Sequence, residues 1–372
     1  MIGQPQRFVA LDAFRGLTIA MMILVNTPGS WSHVYAPLRH AKWHGCTPTD
    51  LVFPFFLFIV GVAMRFSFRK FEYQLTSPAV RKIIGRTITI FVIGLLLNAF
   101  PFIRQDWDYS HFRIMGVLQR IGLAYGIAAL LALWLPQKKQ WYVGGGILIA
   151  YWLIMWIGGS GPESFSLEGN LARRLDLLIL GENHVWHGFG VAFDPEGLFS
   201  TLPAIVTVMV GYQIGWVIQS AGDQRANLKR LLIIGAALIA TGWLWGLFFP
   251  INKAIWTSSY VLYTGGLATL FLTLCVWMID VKGYKKPAWP FVIFGSNSIF
   301  VFAASGLWVK TIVRVKYTLN HETVNAYRYL YETVFVPLAG NLNGSLLFAL
   351  SHILMWWLIL YWLDRKKIYI KI

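Results

Sequence analysis

The stretch Asp50-Leu51-Val52-Phe53-Pro54-Phe55-Phe56-Leu57-Phe58-Ile59-Val60-Gly61-Val62-Ala63-Met64 decides the fold class. After Asp50 it carries no charge and almost nothing polar, which is how a helix crossing hydrocarbon reads, about 20 mainly apolar residues being needed to span a bilayer. Just ahead of it stand His40-Ala41-Lys42-Trp43-His44-Gly45-Cys46-Thr47-Pro48-Thr49. Two imidazoles and a carboxylate are thus set against the mouth of an apolar run. An ionisable group beside hydrocarbon is costly unless it has a use, so this stretch points to chemistry or transport at the bilayer surface.

Composition extends that reading to the whole chain. Of 372 residues 57% are apolar and 13% charged, and 18 Trp, 26 Phe and 16 Tyr enrich the types that seek membrane interfaces. The expected fold is an all-α polytopic membrane protein of about ten transmembrane helices, near 10–28, 49–67, 83–101, 113–135, 141–158, 199–219, 231–250, 258–279, 288–309 and 345–363. Glycine and proline inside several of them, as in Phe53-Pro54-Phe55 and Val143-Gly144-Gly145-Gly146, do not argue against helices, because neighbours satisfy the freed backbone groups. A helix-packing role is preferred for the glycine run, which has no basic partner. No tandem repeat and no low-complexity tract is found, so residues 1–372 read as one transmembrane domain.

Lysines and arginines set the orientation. With the N-terminus placed in the cytoplasm, 19 of them fall on the cytoplasmic side and 10 on the other, while Arg15, Arg113 and Arg120 remain inside spans. The positive-inside rule then puts both termini in the cytoplasm. The same bias accounts for the net charge of +16, leaving nucleic acid unnecessary as a partner. Met1 to Gln6 lack the basic start and small-residue cleavage site of a signal peptide, so the first span is expected to stay as an anchor. Cys46 and Cys275 have no CxxC spacing, which suggests neither a disulfide framework nor a zinc site, and no metal is expected. The longer connections, about 29–48, 159–198 and 310–344, all fall on the outer side, where function is expected. The middle one should hold a short surface helix near 170–181 and then a folded lid.

Several strings carry a family likeness: Leu11-Asp12-Ala13-Phe14-Arg15-Gly16-Leu17, Val25-Asn26, His40-Ala41-Lys42-Trp43-His44-Gly45, Asp50-Leu51-Val52-Phe53-Pro54, Gly116-Val117-Leu118-Gln119-Arg120, Asp194-Pro195-Glu196-Gly197, Trp256-Thr257-Ser258-Ser259-Tyr260-Val261, Gly295-Ser296-Asn297-Ser298-Ile299 and Arg365-Lys366-Lys367-Ile368. In that order they resemble the heparan-α-glucosaminide N-acetyltransferase family and its bacterial relatives. The likeness runs over nearly the whole chain. Relative to the animal enzyme this chain lacks the large N-terminal lumenal region, which suggests a bacterial form sited in the inner membrane. Its loop from Asn26 to His40 is a few residues longer, which leaves the acceptor open.

The resemblance implies that acetyl drawn from cytoplasmic acetyl-CoA is delivered across the membrane to the amine of a terminal glucosamine. It also implies His40 and Asn26 as the catalytic pair. The residues suit that on their own terms. Attack by an amine on a thioester needs a base and donors aimed at the developing oxyanion, and histidine, with an ordinary pKa near 6.5, fits the first need. His40 is assigned as base and Asn26, closing the first span at the same level, as the amide that orients the amine or supports the oxyanion. Asp50 either caps the second span or holds His40 in one tautomer. His44 belongs to acceptor binding or to loop packing. Asp194 and Glu196 either bind acceptor hydroxyls or amine, or serve the dipole at a helix start.

For the donor, Arg15, Gln119 and Arg120 either line a tunnel between helices or lock the helices together, Asp12 and Arg15 being spaced to pair on one face. Arg65 and Arg86, in a basic cluster with Arg69, Lys70, Arg81 and Lys82, either take the coenzyme's phosphates or simply anchor the inner side. The rival reading is an inner-membrane permease for N-acetylglucosamine or a related amino sugar. A permease of that kind usually shows repeated halves, and none is found between 1–186 and 187–372. A homodimer is expected by resemblance alone.

Overall fold

The computed structural model describes residues 8–103, 108–220, 224–319 and 321–370, without the side chains of 224 and 225. Met1–Gln6, Arg7, Arg104, Lys371 and the side chain of Arg225, all used in the sequence reading, lie outside it. Thirteen α-helices occur among these residues: α1 Val9–Asn26, α2 Val52–Phe68, α3 Ser77–Ala99, α4 Val117–Trp134, α5 Gln137–Ile157, α6 Leu171–Leu180, α7 Thr201–Gln219, α8 Gln224–Trp245, α9 Ser258–Cys275, α10 Lys285–Ser296, α11 Ser298–Ile312, α12 Ala326–Leu330 and α13 Val336–Arg365. One antiparallel hairpin, Lys316–Leu319 with Glu322–Asn325, is the only sheet among them. The fold is all-α and built to cross a membrane. Eight helical segments are long and apolar enough to do so, and nine if the bent pair α10 and α11 counts as one.

Each of the ten expected spans falls on a helix, but α3, the third, is not among those long and apolar enough to cross, so eight or nine stand where about ten were expected, and three more corrections concern their shape and bounds. The ninth is not straight: α10 and α11 meet at 70°, and Asn297 occupies the break. The tenth begins earlier than expected, α13 starting at Val336 and breaking at Gly340, whose φ of +72° is the left-handed backbone that glycine adopts at least cost. The fourth begins later, so that Arg113 lies in the preceding loop and Gln119 and Arg120 sit in the first turn of α4.

The chain divides into two compact units. The first takes residues 1–40, 47–52 and 274–371. Here α1 and α10 touch backbone to backbone: a Cβ built on Gly16 would fall 1.7 Å from the carbonyl oxygen of Phe291, and one on Gly295 would fall 2.1 Å from that of Asp12. In hydrocarbon no water-driven force pulls helices together, so close packing at small residues carries the association. At the bend the buried Asn297 donates to the Ile368 carbonyl at 3.2 Å and accepts from the Ile370 amide at 2.7 Å. Its side chain thereby ties the segment after α13 to the break between α10 and α11.

The second unit takes 41–46 and 53–273. It repeats the small-residue device between α2 and α7, where Gly61 faces the Val208 carbonyl and Gly211 faces that of Phe58, each with room for no more than a hydrogen. Of the glycine run in α5 only Gly144 packs, against Val206 and Met209, while Gly145 and Gly146 face open space. Outside the spans, α6 is the short helix expected in 159–198. Asn170 starts it by accepting from the Arg173 amide at 2.8 Å, the N-cap geometry asparagine favours. Its inner face joins a cluster of Tyr151, Met155, Ala172, Phe193, Phe249 and Ile255. That cluster fixes the loops on which the polar residues of this unit stand.

Candidate functional site

In the first unit the segment from Thr47 to Leu51 makes a short 3-10 turn leading into α2. Asp50 is buried there, and its two oxygens face different partners. Oδ2 accepts from the Thr47 amide at 3.1 Å and lies 3.0 Å from the Thr47 hydroxyl, closing a capping box. Oδ1 lies 2.6 Å from Nδ1 of His40. The two readings of Asp50 left open by the sequence, cap or tautomer holder, are therefore both met by one carboxylate. Since an ionised carboxylate only accepts, Nδ1 is the nitrogen that donates to it, and Nε2 is the one left for a reactant. The Thr47 hydroxyl also reaches the Arg39 carbonyl at 2.7 Å, joining the cap to the loop that presents His40. The imidazole is 45% exposed, so a reactant can reach it. Asn26 is the last residue of α1 and is exposed. Also in this unit, Arg15 donates to Asp12 and to the Gly295 carbonyl, each at 3.3 Å. The arginine thus braces α1 against α10 at the point where the glycines let them touch.

The second unit holds a denser set of charges. Arg113 grips Asp194 through both oxygens, Nε to Oδ2 at 2.8 Å and Nη2 to Oδ1 at 2.7 Å, and reaches Oε2 of Glu196 at 2.6 Å. Burial pulls the Arg113 guanidinium pKa down, but its bonds to Asp194 and the charges of Glu196 and Asp194 outweigh this and raise it. Glu196 does not cap a helix, since α7 starts only at Thr201. Asp194 and Glu196 are instead held by Arg113, a partner the sequence reading did not foresee. Arg113 itself was missed by the sequence reading, which had placed it inside a span.

Arg120 is fully buried. Its Nη2 donates to the Gly197 carbonyl at 3.1 Å and to the Ser200 hydroxyl, and its guanidinium lies 5.0 Å from the centre of the Trp256 ring. Nε and Nη1 have no hydrogen-bond partner. Buried guanidinium nitrogens without a partner are costly, and they suit a bound acceptor group. Gln119 donates to the Ile114 carbonyl at 2.9 Å and so holds the entry to α4. Asp176, buried on α6, accepts from the Phe199 amide at 3.1 Å through Oδ1 while Oδ2 has no partner. Burial pushes its pKa up to about 6.

Of the basic cluster, Arg65 donates to Gln219 at 3.0 Å and to the Tyr212 hydroxyl at 3.2 Å, and covers the Tyr73 ring at 3.6 Å. Arg86 lies 4.9 Å from the Tyr125 ring with Nε unpartnered. Lys70 first, then burial and the Arg86 charge, hold the Lys82 ammonium pKa down to about 8. Like charges crowded in this way are relieved by an anion. His44, in the segment 41–46, lies 3.4 Å from Nδ2 of the buried Asn252, and partial burial holds its pKa below the usual histidine value.

With that geometry in view, residues 7–242 match the family model described as heparan-alpha-glucosaminide N-acetyltransferase, catalytic. The chain belongs to that family. The mouse heparan-alpha-glucosaminide N-acetyltransferase is 29% identical over 354 residues, covering 81% of this chain and 53% of the mouse protein. The human protein of the same name is 28% identical over 355 residues, covering 80% and 52%. The chain spans about half the length of these relatives. The matched region contains His40, Asn26, Asp50, Arg113, Arg120, Asp194 and Glu196. In this member of the heparan-alpha-glucosaminide N-acetyltransferase family, the polar residues named above therefore fall within the part that the catalytic model describes.

Proposed function

We propose that this chain is a transmembrane N-acetyltransferase that takes acetyl from acetyl-CoA on the cytoplasmic side and gives it to the amine of a glucosamine-type sugar on the opposite, periplasmic side of a bacterial inner membrane. The observation that carries the reading is the 2.6 Å contact between His40 and Asp50. It sets an exposed imidazole in the tautomer a base requires, on a carboxylate that is itself capped and buried. Family membership supplies the reaction class.

In this reading the sugar amine attacks the thioester carbonyl. Nε2 of His40 takes the proton that the amine sheds, and Asp50 stabilises the imidazolium that results. The carbon–sulfur bond breaks, the proton passes from His40 to the departing thiolate, and the products are an acetamide and the coenzyme thiol. Asn26 donates its amide hydrogens to the oxyanion or orients the amine. In the second unit Gln119 and Arg120 belong to the donor path between helices, the two unpartnered nitrogens of Arg120 being suited to a carbonyl or phosphate oxygen. Arg65 and Arg86, with Lys70 and Lys82, suit the phosphates of the coenzyme, arginine forks matching phosphate oxygens. Asp194 and Glu196 support the site through Arg113. A homodimer remains part of the proposal by likeness to the family.

The test is an assay on purified protein in lipid, with acetyl-labelled acetyl-CoA and glucosamine. N-acetylglucosamine should form in proportion to protein and should require His40. Amino-sugar flux through sealed vesicles without acetyl-CoA, and unaffected by His40→Ala, would establish the permease instead.

A further inference from the structure

In the first unit Asn26 is the exposed last residue of α1, and the three residues after it are buried. Its side chain therefore leaves the helix end from a turn that is itself enclosed. The helix closes one side of that turn, since the Thr27 amide and hydroxyl both bond the Ile23 carbonyl, at 3.1 and 2.6 Å. The other side is closed by α12, α13 and the residues between them. The Tyr327 hydroxyl donates to the Pro28 carbonyl at 2.6 Å. The Gly29 amide donates to the Ser345 carbonyl and the Ser30 amide to the Ser345 hydroxyl, each at 3.2 Å. Three consecutive residues are thus held through their backbone by Tyr327 and Ser345. A Cβ on Gly29 would fall 2.3 Å from the Tyr331 ring, so the turn has no room to move that way.

The grip stands on packed ground. Phe348 is fully buried on α13, and the rings of Tyr327 and Phe335 lie with their centres 4.7 and 5.2 Å from its own. The Tyr331 hydroxyl donates to the Asn341 carbonyl at 2.8 Å, which holds that ring against Gly29. Beyond the turn, on the way to His40, the Tyr35 hydroxyl bonds the Asn343 side chain. Pro28 is buried, so a carbonyl deprived of the Tyr327 hydroxyl gains no easy replacement from water. The matched catalytic region ends at residue 242, and Tyr327, Asn343 and Ser345 all lie beyond it. Reacting groups must be held closely, a misplacement of about 1 Å costing up to about 100-fold in rate.

We infer that Tyr327 and Ser345 are positioning residues for Asn26, acting through the turn that presents its amide, so that the proposed site is complete only with the chain beyond the matched catalytic region. The inference rests on the acetyl-transfer reading and on the part that reading gives to Asn26. Neither residue is asked to touch a reactant.

The test uses the full chain in lipid nanodiscs, with acetyl-labelled acetyl-CoA and glucosamine. Tyr327→Phe keeps the ring on Phe348 and removes only the hydroxyl, and Ser345→Ala removes the other hydroxyl. Each should lower kcat about tenfold while the acceptor KM stays within about twofold, as loss of alignment does. In an Asn26→Ala background neither should lower kcat by more than about a further twofold, whereas independent sites would multiply their losses. Hydrogen exchange over residues 27–35 should quicken in both variants, a readout that needs no activity. Wild-type kcat in both variants, losses that multiply with that of Asn26→Ala, or unchanged exchange overturns the inference. The two readings fail differently. An active wild type indifferent to Tyr327 and Ser345 removes this inference alone, while a wild type without transfer removes the enzyme reading and this inference with it.

Discussion

His40 in the first unit and Arg120 in the second are both charged or chargeable side chains held by polar partners, but they are held for opposite ends. The imidazole is nearly half exposed and rests on a buried carboxylate at 2.6 Å. The guanidinium is wholly buried, bonds only a carbonyl and a hydroxyl, and leaves two nitrogens without partners. A group that must gain and lose a proton needs access and a partner that stabilises its charged form. A group that supplies fixed positive charge needs a dry surrounding, where each hydrogen bond is stronger and each missing one costs more. The first arrangement suits an acid–base residue and the second a receptor for an oxygen, the roles proposed for them above.

Mutation can break the comparison at either end, and His40→Ala should have the largest effect. Acetyl transfer should fall about 10²–10⁴-fold, the usual contribution of a positioned general base, while acetyl-CoA affinity stays within a few-fold. Turnover comparable to wild type would remove His40 from the mechanism.

Next in size is Arg113→Met. Asp194 is fully buried and gives both its oxygens to Arg113, so removing the cation should cost about 3–5 kcal/mol of stability, as breaking a buried pair does. Thermal unfolding in detergent measures it. An unchanged melting temperature would show that Asp194 and Glu196 find another partner, and the dense charge set would then lose its structural meaning.

Asn26→Ala sharpens the first end. If the amide donates to the oxyanion, turnover should drop about 100-fold or more, read as kcat at saturating acceptor. A change confined to acceptor KM would assign Asn26 to binding.

The smallest effect belongs to Asp176, whose folded pKa is raised from 3.8 to about 6 by burial. The folded state holds this proton more tightly than the unfolded chain does, so wild-type stability should fall as pH rises from about 4 through about 6. Asp176→Asn should flatten that slope and be the more stable protein at pH 8, by about 1–3 kcal/mol, the penalty of a buried group with an unanswered oxygen. Melting curves at pH 5 and pH 8 compare the two. Parallel pH profiles would mean that Asp176 is already satisfied.

The sequence made the helices legible because a chain crossing lipid must satisfy its backbone within each segment, and charge-free runs such as Leu51 to Met64 have few other solutions. It also held the short α6, through Asn170 and the apolar spacing after it. What it left out depends on distant partners. Asn297 reads as one more polar residue until the chain near Ile368 and Ile370 returns to it. Arg113 read as the start of a span because the apolar pattern does not mark where a helix begins, and its partners stand some 80 residues on. Glu196 looked like a cap for the same reason. Asp50 was the converse case. Both of its roles were local, to Thr47 and His40, and both were legible as alternatives, though only the geometry gave each oxygen its own task.

The central claim concerns sidedness, and sealed proteoliposomes test it. In vesicles whose basic loops face outward, acetyl-labelled acetyl-CoA is supplied outside and glucosamine is trapped within. The account predicts labelled N-acetylglucosamine accumulating inside, the coenzyme remaining outside because its charged nucleotide is costly to carry between apolar helices, and no product with His40→Ala. Labelled product formed only outside, with glucosamine supplied there, would contradict transfer across the membrane.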